Sequence, residues 1–151
     1  MTIDDELSNI TSLFIDTAPI IYFIEAHPQF GPLSKKIFDS FLSGRFMAYS
    51  SVITLTEVLA KPVESGDEKL SRRFSEFLER GKNLELLEIT AAIAKQAGRL
   101  RGQYPVLRAL DAIQLAAAID AGTEAFLTND KKLQRVKEIK VLVLADYLSG
   151  K

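Results

Sequence analysis

Ser12-Leu13-Phe14-Ile15-Asp16-Thr17 is a short apolar run that ends abruptly in an acid. This pattern is typical of a buried parallel strand at the point where the strand meets its loop. The run Ala125-Phe126-Leu127-Thr128 repeats the pattern, and Asn129 and Asp130 follow it. Further strands are predicted at 46–50, 84–89 and 139–144. Helical patterns separate these strands, which predicts right-handed crossovers and a parallel sheet covered on both faces, an α/β fold.

The predicted helices occupy the segments between the strands. Ser50 or Ser51 can cap one of them, and we expect that helix to end near Ala60 because Pro62 follows. Residues 1–11 are expected to be a polar lead-in with at most one helical turn. The length suits one domain, taken as residues 1–151. The remaining helices are predicted at 18–26, 33–43, 67–80, 90–103, 107–121 and 129–136, with a short one after the last strand.

Composition excludes several kinds of chemistry. Among 151 residues there is no Cys and one His, which removes disulfide frameworks, zinc fingers and Cys nucleophiles. A Ser-His-Asp triad would need His27, for which no acid–hydroxyl pair is apparent. No apolar run approaches the ~20 residues of a membrane span, and the acidic N-terminus is unlike a signal peptide. We therefore expect a cytoplasmic protein without a membrane partner, and chemistry based on carboxylates, hydroxyls, amides and amines.

Two acids follow predicted strand ends. Asp16 and Asp130 each come directly after, or within two residues of, an apolar run. Open α/β sheets form their sites at the carboxyl ends of strands, so this placement indicates a site. A cap on the next helix is the alternative for each acid.

Asp111 lies on an apolar helical stripe with Leu107 and Leu115. An ionised carboxylate there costs several kcal/mol unless a cation or hydrogen-bond donors satisfy it. A salt bridge to Arg101 or Arg108 is one solution, and a metal ion is the other.

Glu57 lies at the margin of an apolar helix surface and, taken alone, is typical of a solvated glutamate. Together with Asp16, Asp111 and Asp130 it belongs to a set of acids in four separate strand–helix units. If these carboxylates meet, they form an oxygen site suited to Mg²⁺ or Mn²⁺ and not to zinc.

Four segments of the chain resemble, in order and spacing, the four motifs of the PIN domain, in particular those of VapC toxins of toxin–antitoxin pairs. The segments are Phe14-Ile15-Asp16-Thr17, Thr54-Leu55-Thr56-Glu57-Val58-Leu59, Leu110-Asp111-Ala112-Ile113-Gln114-Leu115-Ala116 and Phe126-Leu127-Thr128-Asn129-Asp130-Lys131-Lys132-Leu133.

This resemblance implies an α/β/α sandwich around a mostly parallel sheet of about five strands. It also implies a Mg²⁺- or Mn²⁺-dependent endoribonuclease that forms a homodimer and is blocked by an antitoxin protein. The catalytic and metal-binding set that it implies is Asp16, Glu57, Asp111 and Asp130. Thr17, Thr128 and Asn129 match the polar positions beside that set.

Three cations, Lys131, Lys132 and Arg135, lie in the densest basic stretch, directly after Asp130. We expect them to contact the RNA backbone, although such a stretch is usually only a solvated face. Two other functions remain open. One is a phosphatase-like hydrolase with Asp16 as nucleophile, although its usual second acid is replaced by Ala18. The other is a non-catalytic PIN scaffold whose acidic pocket binds a protein partner.

Overall fold

The computed structural model describes residues 1–148, which form helices on both sides of one sheet. The strands are β1 (Ser12–Ile15), β2 (Met47–Ser51), β3 (Leu84–Leu87), β4 (Ala125–Thr128) and β5 (Lys140–Val143). The α-helices are α1 (Ile3–Ser8), α2 (Thr17–Ile24), α3 (Gly31–Leu42), α4 (Val52–Glu64), α5 (Glu68–Arg80), α6 (Ala91–Gln103) and α7 (Ala109–Asp120). Two 3-10 helices cover Lys131–Arg135 and Leu144–Tyr147. None of these helices is both long and apolar enough to cross a membrane.

The sheet has the strand order β3-β2-β1-β4-β5, and every neighbouring pair is parallel. Strands β2 and β3 are therefore added on one side of β1, and strands β4 and β5 are added on its other side. Ile15 pairs with Leu127, and the Asp16 N–H donates to the Leu127 carbonyl at 2.9 Å. The ends of β1 and β4 thus lie side by side at the switch point, where ligands of open α/β sheets bind. The predicted α/β class and parallel five-stranded sheet are confirmed.

Alternate residues of β1 face opposite layers, and all of its apolar side chains are fully buried. Leu13 and Ile15 pack with α1 to α5, whereas Phe14 packs with α6 and α7. The ring of Phe14 stacks on that of Phe126, with centroids 5.2 Å apart. Burying each such side chain contributes about 1.5–3 kcal/mol, so the strand that carries Asp16 is held firmly on both faces.

The N-terminal segment is more ordered than expected. Thr2 forms a capping box with Asp5, and α1 buries two apolar side chains, Ile3 and Leu7, in the core. Glu6, also in α1, accepts hydrogen bonds from the Lys140 ammonium of β5 and, at 3.1 Å, from the Tyr147 hydroxyl. These contacts lower the pKa of Glu6, while burial and Glu6 raise the pKa of Tyr147 to about 12. The lead-in is therefore part of the packed fold.

Several predicted boundaries and one predicted helix type differ from the structure. Helix α4 does not end near Ala60 but includes Pro62, which costs one backbone hydrogen bond and is itself buried. The helix predicted from 107 begins at Ala109, and the basic segment 129–136 contains a 3-10 helix instead of an α-helix. The single-domain assignment to residues 1–151 stays a prediction, and its last three residues lie outside the described range.

Candidate active site

Asp16 is both a helix cap and the centre of the acidic edge. Its Oδ1 accepts from the Thr17 N–H at 2.9 Å, which caps α2. Its Oδ2 accepts from the hydroxyl of Thr128, the last residue of β4, at 2.8 Å. Because Thr128 is almost completely buried, it fixes this carboxylate oxygen in one direction.

Asp130 is connected to Asp16 through the same hydroxyl. The Asp130 N–H donates to Thr128 Oγ1 at 3.1 Å, and Asp130 Oδ1 accepts from the Lys132 N–H at 3.0 Å. Asp130 therefore also caps a helix, the 3-10 helix after β4. Both acids therefore cap a helix and also lie at the end of a strand, so the two alternatives given by the sequence are not exclusive.

Glu57 reaches this edge from α4. The Thr17 hydroxyl donates to Glu57 Oε1 at 2.6 Å, although the Glu57 side chain is exposed. A charge-assisted bond of this length aligns one oxygen of a long side chain that would otherwise sample several rotamers. Thr17, the residue that follows Asp16 in the chain, thus holds the Glu57 carboxylate in place.

Asp111 lies in the first turn of α7 and is partly buried. Within residues 1–148 it forms no salt bridge, so neither Arg101 nor Arg108 neutralises it in an ion pair. Burial is the largest cause that raises the pKa of Asp111, and the charges of Asp130 and Glu57 raise it further.

The acids act electrostatically on one another. Burial is the largest cause that raises the pKa of Asp16, to about 6, and the charges of Asp111 and Glu57 raise it further. The hydrogen bonds from Thr128 and Thr17 oppose this shift but do not cancel it. Asp16, Glu57, Asp111 and Asp130 therefore form one cluster of like charges with unfavourable mutual energy.

The donor set fits a hard divalent cation. Every side-chain donor in the cluster is an oxygen, and a buried carboxylate without a cationic partner favours binding of a positive charge. Within the described range, no three His, Cys, Asp or Glu side chains are already grouped so that one ion could bind all of them.

Asn129 makes protein contacts at both ends of its amide. Its Nδ2 donates to the Tyr22 hydroxyl at 3.1 Å, and its Oδ1 accepts from the Ala145 N–H at 3.0 Å. These bonds fix the loop that leads from β4 to Asp130.

The predicted basic residues differ in their surroundings. Lys131 pairs with Asp146 at 3.2 Å, whereas the charge of Lys132 lowers the pKa of Asp111. Arg135 is exposed in the same 3-10 helix. Sequence reasoning considered Arg108 only as a salt-bridge partner, but its charge also acts on Asp111 from the N-cap of α7.

A buried polar network behind the acids was missed. The Gln114 amide donates to Thr54 Oγ1 at 2.8 Å, and its oxygen accepts from the Ser51 hydroxyl. Ser50 Oγ lies 2.9 Å from Thr54 Oγ1 and 3.0 Å from the Ile15 carbonyl oxygen. A glutamine inside the Ala-rich segment of α7 was the only signal in the sequence, and hydrophobic periodicity alone does not say what it contacts.

His27 takes no part in this cluster. Its Nδ1 accepts from the Gln29 and Phe30 N–H groups, each at 3.1 Å, in the loop after α2. The imidazole therefore organises a turn.

An α/β/α sandwich with carboxylates at the switch point of a parallel sheet defines the class of this protein. The sequence model of the PIN domain family matches residues 13–139, and the chain belongs to that family. Among curated protein sequences none matches it.

Several solved structures have the same fold. VapBC2 from Rickettsia felis bound to promoter DNA has a TM-score of 0.71 at 19% identity, covering 87% of this chain and 98% of that chain. FitAcB from Neisseria gonorrhoeae has a TM-score of 0.68 at 19% identity, covering 88% and 98%. VapC20 from Mycobacterium tuberculosis, described as a sarcin-ricin loop cleaving toxin, has a TM-score of 0.63 at 15% identity, covering 76% of this chain and 86% of that chain.

Proposed function

We propose that this protein is a metal-dependent endoribonuclease and the toxin of a toxin–antitoxin pair. The observation that carries the proposal is Asp16, whose buried carboxylate is held by Thr128 at the switch point and surrounded by further acids. Membership of the PIN family and the likeness to VapC structures support the same reading.

In this proposal Asp16 and Asp111 are the main ligands of Mg²⁺ or Mn²⁺, and Glu57 and Asp130 bind directly or through water. The ion supplies Lewis acidity and neutralises charge on the phosphodiester. Thr17 and Thr128 hold the oxygens of Glu57 and Asp16 through the bonds described above. Asn129 contributes by fixing the loop before Asp130.

We expect the products to carry 5′-phosphate and 3′-hydroxyl ends. Attack by water on phosphorus with departure of the 3′-oxygen leaves these ends, whereas attack by the RNA 2′-hydroxyl with departure of the 5′-oxygen gives a cyclic phosphate and usually requires a general base such as His. The single histidine, His27, is engaged in a loop turn. Mapping of the fragment ends tests this expectation, and a 2′,3′-cyclic phosphate would contradict it.

Metal removal tests the function itself. We expect purified protein to cut total cellular RNA with Mg²⁺ or Mn²⁺ and not with EDTA, and we expect Asp111→Asn to be inactive. Asp120→Asn, at the exposed opposite end of α7, is the matched control and should cut normally. Cutting in EDTA, or by Asp111→Asn, would argue against the proposal. No cutting in any condition, together with no growth arrest on expression, would favour the scaffold function.

Lys132 and Arg108 are proposed to contact RNA phosphates, with Lys131 and Arg135 farther along the backbone path. We expect Lys132→Ala, combined with Asp111→Asn to prevent cutting, to bind labelled single-stranded RNA more weakly. The slope of log affinity against log salt should fall by about one. Lys95→Ala on the exposed face of α6 is the control, and equal slopes for the two variants would exclude Lys132 as a phosphate contact.

Partner and location are parts of the same proposal. The similar structures include toxin–antitoxin complexes, which supports an antitoxin protein that covers the acidic edge. A homodimer and a cytoplasmic location are proposed on the family resemblance.

A further inference from the structure

We propose that Gln114 is a positioning residue that sets the separation between Asp111 and Glu57 by joining α7 to the first turn of α4. This inference rests on the proposed function, because it assigns the buried polar network to the geometry of the carboxylate cluster.

The side chains involved belong to α7 and to the first turn of α4. Gln114 is three residues after Asp111 in α7, and Thr54 is three residues before Glu57 in α4, so each pair shares one helix face. The bond of 2.8 Å between Gln114 Nε2 and Thr54 Oγ1 joins these two faces. The Ser51 hydroxyl, which caps α4 by accepting from the Ile53 N–H, donates to the other end of the same amide.

The network ends beside the contact that holds Glu57. The Gln114 amide N–H donates to Thr54, and the Thr17 hydroxyl donates its one proton to the Glu57 carboxylate. Thr54 Oγ1 also lies 2.9 Å from Ser50 Oγ and 3.4 Å from Thr17 Oγ1. The buried Thr54 hydroxyl therefore lies against the hydroxyl that orients Glu57.

Burial gives a second argument. Gln114 is 1% exposed and Thr54 is fully buried, and the residues that follow Gln114 in α7, from Leu115 to Ala118, are fully buried apolar side chains. A buried amide costs free energy unless its hydrogen bonds are made, and an apolar side chain would avoid that cost. An amide with both ends bonded to the helix that carries Glu57 instead gives that helix one register relative to α7.

The test is a titration of purified protein with Mn²⁺ alone, in which calorimetry measures the binding affinity. We expect Thr54→Val, which keeps the shape, and Gln114→Leu to weaken Mn²⁺ binding about 10- to 100-fold. Thr54→Ser, which keeps the hydroxyl, should restore affinity close to that of the wild type. Gln96→Leu, at a partly buried glutamine of α6, should leave the affinity unchanged. Cooperative thermal unfolding confirms that each variant is folded. If Gln114→Leu does not fold, the comparison of Thr54→Val with Thr54→Ser tests the inference.

A double-mutant cycle separates positioning from a general packing defect. In a Glu57→Gln background, Thr54→Val should have much less effect on Mn²⁺ affinity, because the carboxylate that the network orients is gone. Folded Thr54→Val and Gln114→Leu variants with wild-type affinity would overturn this inference alone. An undiminished effect of Thr54→Val in the Glu57→Gln background would overturn it too. Failure of the wild type to bind Mn²⁺ would instead overturn the proposed function, and this inference with it.

Discussion

Asp16→Asn is expected to lower the rate of metal-dependent RNA cutting about a thousandfold or more while the protein stays folded. Metal-assisted charge stabilisation is worth several kcal/mol in such reactions, and each 1.4 kcal/mol is a factor of ten in rate. Asparagine can still cap α2 by accepting from the Thr17 N–H, so the start of the helix is kept, while the charge and the hydrogen bond from the Thr128 hydroxyl are lost.

This expectation is checked by single-turnover cleavage at saturating Mn²⁺. Asp39→Asn, at an exposed position of α3 paired with Lys35, is the matched control and should retain the wild-type rate. A rate for Asp16→Asn within tenfold of the wild type would remove Asp16 from the proposed ligand set.

The same substitution is expected to stabilise the metal-free protein by about 2 kcal/mol near neutral pH. Burial and neighbouring acids raise the pKa of Asp16 from 3.8 to about 6 in the folded state, and each unit corresponds to about 1.4 kcal/mol, so removing the charge removes a cost of about 3 kcal/mol. Loss of the hydrogen bond from Thr128 offsets about 1 kcal/mol of that gain. Catalytic loss and a gain in stability from one substitution would indicate a carboxylate kept for function.

The pH dependence gives the sign of this effect. Between pH 3.8 and about 6 the folded protein retains the Asp16 proton that the unfolded chain has already released. The contribution of Asp16 to stability therefore falls as pH rises through this interval, and it stays constant above it. The advantage of Asp16→Asn should accordingly be largest above pH 6 and disappear near pH 4. Urea unfolding in EDTA at several pH values measures it, and a difference independent of pH would contradict the argument.

The sequence predicts the fold best at strands whose burial is indicated by their own residues. Apolar runs such as 12–15 and 125–128 have no continuous polar face, which favours buried parallel strands and predicts that the acids after them lie at the sheet edge. Helix α1 and the passage of α4 through Pro62 depend on packing against distant elements, which local pattern does not contain.

The polar network shows the same limit within the candidate site. Gln114 and Thr54 are 60 residues apart, and only the fold of the whole chain brings α7 to the first turn of α4. The motifs place both residues on helices, but a glutamine in an Ala-rich helix is equally compatible with a solvated position. Asp16 and Asp130 were ambiguous between cap and site because the strand end that exposes a carboxylate also begins the next helix.

The strand order also has a consequence for synthesis of the protein. The hydroxyl of Thr128 that holds Asp16 is separated from it by 112 residues, and the Lys140 partner of Glu6 in α1 follows that residue by 134. On the ribosome, β1 therefore emerges long before β4 can pair with it, and α1 long before β5. Nascent chains that stop short of β4 lack the switch point altogether. A cell that makes this protein is exposed to its completed acidic edge only after nearly all of the described chain has been translated.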